Sequence, residues 1–244
     1  DNDGLPFSLG SCPLMKIQGE EDQNEIESLN ASLVKNFVMF FGHARSGHSW
    51  IGSILDAAPN AMIANEYNAF GRYLQKKSNR TKLYRGMIKN SYLCGKYGRV
   101  QVYNYSMPGL WQGTVAPGYD LEVIGDKKGG KSTTSLMSIG PKPWENAAAA
   151  EIQKKVLDGF LTEMGAKPKI IYVLRNPWHI IATQTLRGSI LTRPMNVTDE
   201  RVNKILMEMR QNLWAKDNLA QRDQWHVLTK ERFGTHTREE LTKL

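Results

Sequence analysis

Hydrophobic positions along this chain fall into short runs separated by longer stretches of helical period. The runs Phe37–Phe41, Leu121–Ile124, Ile170–Leu174 and His226–Thr229 read as buried parallel strands, with Ala61–Ala64 as a fifth. Between them, Trp50–Ala57, Tyr67–Asn90, Trp144–Met164, Pro177–Leu186 and Thr198–Asn218 read as helices. The last of these opens on Thr198-Asp199-Glu200, acidic where a helix start favours negative charge. Strands alternating with helices predict an α/β fold, a central parallel sheet of four or five strands flanked by helices. Residues 1–35 are polar, with an acidic Glu20-Glu21-Asp22, and read as a loosely attached leader or stem before one domain over 36–244. Residues 95–120, rich in Gly, Tyr and Trp, interrupt the rhythm and read as an inserted loop that shapes a substrate pocket.

Composition narrows this picture modestly. A chain of 244 residues, 41% hydrophobic and 23% charged, supports one domain with a sizeable core. No apolar stretch approaches the roughly 20 residues that cross a bilayer, so no membrane insertion is expected. The net charge of +8 comes from scattered basic residues, apart from Lys127-Lys128 and Lys131. That distribution favours a solvated surface with one site for an anionic ligand, and no nucleic-acid partner. Cys12 and Cys94 allow one bridge or none, and exclude a disulfide scaffold or zinc cluster. N-glycosylation sequons begin at Asn30, Asn79, Asn104 and Asn196, and the chain opens on Asp1. Together these favour a glycoprotein domain of the Golgi or secretory lumen, separated from its signal or anchor, with a cytoplasmic protein expressed as a fragment as the alternative.

The chemistry concentrates in Gly42-His-Ala-Arg-Ser-Gly-His-Ser-Trp50, between an apolar strand and a helix marked by Ile51, Ile54 and Leu55. A glycine-containing turn there aims backbone N–H groups and a helix N-terminus at one point, which suits a phosphate. Arg45 adds a fixed cation, and Ser46 and Ser49 add hydroxyl donors. A second strand–turn–helix, Arg175-Asn-Pro-Trp-His-Ile-Ile-Ala-Thr183, has Pro177 in the first helical turn and Thr183 about two turns beyond Arg175. An arginine and a hydroxyl so spaced can grip another phosphate.

A rival phosphate loop is Gly125-Asp-Lys-Lys-Gly-Gly-Lys-Ser132, which satisfies the Walker A pattern and supports an ATP-dependent kinase or NTPase as the alternative reading. Against it, the best downstream strand ends in Val-Leu-Arg175, not in a magnesium-binding Asp. The residues after Ser132 are also rich in hydroxyls and breakers.

The pair of segments at 42–50 and 175–183 resembles the sulfotransferase family, enzymes that use 3′-phosphoadenosine 5′-phosphosulfate (PAPS), and is nearest to its tyrosylprotein and bacterial-type branch. The resemblance covers roughly residues 36–230 and implies a three-layer P-loop-like fold. It implies that Arg45, Ser46, Gly47, His48 and Ser49 bind the 5′-phosphosulfate, that Trp50 stacks on adenine, and that Arg175 with Thr183 binds the 3′-phosphate. His48 stands where the family has a hydroxyl residue, so one phosphate hydrogen bond comes from imidazole or is lost. No counterpart of the family's glycine-rich cofactor loop precedes Leu244, which implies a truncated chain or a more open adenosine site.

By the same resemblance, Leu55-Asp-Ala-Ala-Pro59 leads to Glu66 as catalytic base, and Gly125-Asp126-Lys127 places Lys127 beside the transferred group. Asp126 is either a second base or a partner that orients Lys127, and His43 is a further, weaker base. Lys128 and Lys131 are read as surface charges. The expected reaction moves a sulfuryl group to a small-molecule, carbohydrate or peptide acceptor and releases 3′-phosphoadenosine 5′-phosphate (PAP), with no metal. Trp111 and Tyr103–Tyr105 are candidates for lining the acceptor pocket, and His179 reads as structural.

Overall fold

The chain folds, in a computed structural model that describes residues 20–75, 78–97, 110–186, 198–219, 225–235 and 239, around five parallel strands. These are β1 (Asn36–Gly42), β2 (Ala61–Asn65), β3 (Val123–Lys127), β4 (Lys167–Leu174) and β5 (Trp225–Thr229), in the spatial order β2-β3-β1-β4-β5. All four pairings are parallel, with Phe37 opposite Ile124 on one side of β1 and Pro168 on the other. The helices are α1 (Glu20–Ser28), α2 (His48–Asp56), α3 (Ala69–Leu74), α4 (Arg80–Tyr97), α5 (Gly129–Met137), α6 (Ala147–Met164), α7 (Pro177–Leu186), α8 (Asp199–Leu219) and α9 (Lys230–Thr235).

Strand alternation sorts the core into two sides. Phe37, Met39 and Phe41 join Met62, Ile170 and Tyr172 in a large cluster with residues of α4, α6 and α8. Val38 and Phe40 face the other way, with Ile63, Ile171, Val173 and Ile51 of α2. Both faces of the sheet are therefore covered, as a parallel sheet requires, and the molecule has three layers.

The expected helix Tyr67–Asn90 is two helices. Glu66 (φ 66°) and Asn68 (φ 65°) are left-handed, so α3 cannot extend backwards through them. Asn79 then restarts the chain, its side chain accepting from the Lys82 N–H at 3.1 Å at the head of α4. Helix α6 is capped at both ends, by the Asn146 side chain and by Gly165 at φ 62°. Of the expected leader, residues 20–35 carry α1, which lies against α4: Ile26 is buried in the core, and the Tyr92 hydroxyl and Lys96 ammonium both reach Asp22. Of the inserted segment, residues 95–97 end α4, and the other described residues, 110–120, pack at the N-terminal ends of the strands. Gly113 N–H donates to Asp56 at the far end of α2, and Ala116 N–H to Pro59 O. Trp111 is exposed there; Tyr103–Tyr105 lie outside the described residues. Among the described residues no helix is long and apolar enough to cross a membrane.

Candidate active site

Connections leave β1 and β4 in opposite directions, β1 towards β2 and β4 towards β5. The crevice between their carboxyl ends is the switch point at which open α/β sheets bind ligands. Two turns meet there. After β1, Gly42 (φ 124°), Arg45 (φ 70°) and Gly47 (φ 105°) fold the chain sharply back into α2. Gly42 is required by closeness as well as by φ, since a Cβ would sit 2.5 Å from Val173 O of β4. After β4, Arg175 Nη1 donates to Arg45 O at 2.8 Å. The two arginines expected to serve one ligand are thus on adjoining turns. Arg175 Nε is buried with no hydrogen-bond partner, a donor aimed at nothing in the described protein.

Within the first turn, buried Ser46 donates its hydroxyl to His43 O at 2.6 Å. His48 points inward: its Nε2 donates to Phe41 O at 3.0 Å, and burial pushes its pKa down to about 4, against the pull of that carbonyl. The ring is neutral at pH 7 and its Nε2 is engaged within the fold. Trp50 is half-buried against the Val38 and Phe40 side of the core. Thr183 donates its hydroxyl to His179 O at 2.6 Å, one turn back on α7.

Beside this turn, on the β3 side, stand the expected catalytic residues. Lys127, with a side chain only 1% exposed, bonds Glu66 Oε1 at 2.5 Å and donates to Ser49 Oγ at 2.8 Å. Gly52 of α2 makes room for it; a Cβ there would lie 2.8 Å from Lys127 Cγ. Lys128 pairs with the other oxygen of Glu66, so it is a site residue and not the surface charge expected. Burial raises the Glu66 pKa, yet Lys127 and Lys128 outweigh it and hold the carboxyl below its ordinary value, ionised at neutral pH. Asp126 is elsewhere. Its oxygens accept from the N–H groups of Tyr67 at 3.1 Å and Ala69 at 2.6 Å, and burial lifts its pKa to about 6 despite the Ala69 bond.

The Walker-like segment forms no phosphate turn. Lys128 alone separates β3 from α5, so Gly129, Gly130 and Lys131 are the first turn of a helix, and Lys131 is exposed. No protein-family model matches this chain, and no curated protein matches it either. Among the described residues, no group of three or more His, Cys, Asp or Glu side chains could hold a metal ion.

Two neighbours of the turn after β1 carry no readable sequence signal. The stem of Lys230, first residue of α9, covers Gly47, with its Cδ 3.1 Å from where a Cβ would be. A cavity of about 510 Å³ lies between α7 and α8, lined by Gln184, Arg201, Lys204, Ile205 and Glu208 among others. Buried His43 joins it to the turn: Gln184 Nε2 is 3.1 Å from His43 Nδ1, and Glu208 Oε2 is 3.4 Å from His43 Nε2.

Proposed function

We propose that the chain is a PAPS-dependent sulfotransferase. The observation that carries this is Lys127, whose ammonium joins the phosphate turn at Ser49 to an ionised carboxylate at Glu66. Cation, turn and base then surround one point at the carboxyl ends of β1, β2 and β3. The 5′-phosphosulfate lies along 42–49 with Arg45 beside it, and the 3′-phosphate meets Arg175, whose unpartnered Nε suits an anionic oxygen. Thr183 joins that contact by turning its hydroxyl away from His179 O. The half-buried Trp50 offers less stacking surface than the family resemblance implies, which suits a more open adenine site.

The transfer is an in-line displacement. The acceptor oxygen or nitrogen forms a bond to sulfur while the bond from sulfur to the phosphate oxygen breaks, releasing PAP. Charge builds on that leaving oxygen, beside Arg45 and Lys127. The acceptor proton passes to Glu66, which regains basicity as Lys127 shifts from it onto a sulfonate oxygen. The sulfonate carries one negative charge, so these cations suffice for the loose transition state. The acceptor enters from the cavity beside His43, whose polar lining suits a hydroxyl- or amine-bearing molecule. A disulfide at Cys94 and exposed sequon asparagines at 30 and 79 support a luminal compartment.

Calorimetry with adenosine 3′,5′-bisphosphate tests the reading. Binding without metal is expected, weakened by on the order of 2 kcal/mol in Arg45→Ala and in Arg175→Ala. No binding of this nucleotide, or tighter binding of magnesium–ATP that depends on Lys131, would end it.

A further inference from the structure

We infer that Asp126 is a positioning residue: its carboxylate grips the backbone N–H groups of Tyr67 and Ala69 and so fixes the turn that presents Glu66 to Lys127. Both its oxygens are taken by backbone donors, at 3.1 and 2.6 Å, and the residue is 4% exposed. It therefore has no free face to offer an acceptor. The first of its bonds directly follows Glu66 and the two flank Asn68, and both of these residues adopt left-handed backbone, which a glutamate resists more than an asparagine does.

Strand geometry explains the division of labour. Asp126 and Lys127 are successive residues of β3 and project to opposite faces of the sheet. Register places Asp126 opposite Ala64 and Lys127 opposite Asn65, directly before the turn. Asp126 thus holds the turn's backbone from one face while Lys127 meets its carboxylate from the other. The turn is also tied from below, by Glu66 N–H to Lys127 O at 3.3 Å. The charged groups facing Asp126 are Glu66, Lys127 and Lys128.

The inference rests on Glu66 as the proton acceptor proposed above, but its test separates the two. In the wild-type protein, the amide protons of Tyr67 and Ala69 should move together with a single midpoint as pH is lowered through the titration of Asp126, followed by NMR. In Asp126→Asn, one of the two amides loses its acceptor, and its hydrogen exchange should quicken at least tenfold. Turnover with PAPS should fall at least tenfold, while affinity for adenosine 3′,5′-bisphosphate stays within twofold. Adding Asn68→Gly, which accepts the left-handed backbone freely, should recover at least fivefold of the lost turnover. Unchanged exchange at Tyr67 and Ala69 in Asp126→Asn would overturn the inference, as would lost turnover that Asn68→Gly leaves untouched. If Asp126→Asn does not fold, separate midpoints for the two amides in the wild type would do the same. Wild-type protein that fails to bind the nucleotide would sink the sulfotransferase reading and leave the amide measurements to decide the clamp.

Discussion

A lysine with 1% of its side chain exposed needs a reason, because taking an ammonium out of water is opposed by several kcal/mol unless it is paired. Lys127 has that pairing in Glu66 and Ser49, and Glu66 depends on it in turn. In Lys127→Met the carboxylate keeps only Lys128, so the upward push of burial prevails and its pKa should rise. A carboxyl with a depressed folded pKa stabilises the protein above its unfolded value, and that contribution is lost as pH falls through the folded one. The substitution should therefore cost about 3 kcal/mol at pH 7 and much less at pH 4, measured by urea unfolding at both. Transfer should fall by about a hundredfold or more if Lys127 faces the developing charge. Asp126 has the opposite sign. Its pKa is raised to about 6 from 3.8, so its ionisation opposes folding, and stability should drop as pH rises through that window, by on the order of 3 kcal/mol. Asp126→Asn should flatten the urea midpoint between pH 4 and 6; a midpoint that still falls there would assign the slope to another group.

At the scale of elements, the turn between β1 and α2 takes positive φ at three residues in six positions, Gly42, Arg45 and Gly47, and only at Arg45 is that backbone strained. Gly42→Ala meets both a forbidden φ and the Val173 carbonyl, and should destabilise by about 3 kcal/mol. Gly140→Ala is the control: its φ is 73° but a Cβ there meets nothing within 4 Å, so about 1 kcal/mol is expected. Equal urea midpoints for the two variants would show that the approach of β1 to β4 is looser than described. Strands β1, β2 and β4 were legible in the sequence because burial on both faces leaves nearly unbroken apolar runs. By contrast, β3 lies at Val123–Lys127 and not at the expected 121–124, because its buried carboxyl half is Gly-Asp-Lys. The start of α7 was legible because Pro177 marks it. Helix α5 was hidden: its first residues, Gly129–Ser132, fall in the Walker-like pattern and those after Ser132 are rich in hydroxyls and breakers, yet Thr133 and Leu136 are fully buried against the sheet. Packing overrode propensity there. The same segment shows why a matching pattern is not a site, since the Walker spacing was met by residues that wind directly into a helix. The placement of Arg45, Arg175, Glu66 and Lys127 at or just past the carboxyl ends of strands was readable from the apolar runs that precede them. The Glu66–Lys128 pair was not, because it requires the left-handed turn at Glu66, and nothing in an ordinary Glu-Tyr-Asn sequence announces that conformation.

Over the whole molecule, strand order assembles what sequence distance separates. Lys230 reaches Gly47 because β5 lies beside β4 and β4 beside β1, placing α9 over the first turn across 183 residues of chain. The same order leaves the two halves of the proposed site on different supports. The proposed nucleotide contacts rest on the turns after β1 and β4, whereas the cavity rests mainly on α8 and meets the first turn where Glu208 approaches His43 and Gln184 donates to Ala44 O. Its lining carries both carboxylates and cations, Glu200 and Glu208 against Arg201 and Lys204, which suits an uncharged polar acceptor better than an anionic one. Acceptor and nucleotide binding should therefore be separable by substitution. Glu208→Gln keeps the shape but removes a charge next to His43, and Lys204→Ala removes an exposed cation with little effect on the core. Each should raise the KM of a hydroxyl acceptor at least fivefold at saturating PAPS, with nucleotide affinity within twofold of wild type. Steady-state kinetics beside calorimetry reads both quantities. An unmoved acceptor KM in both variants would place the acceptor outside this cavity, whereas a parallel loss of nucleotide affinity would show that α8 belongs to the nucleotide site.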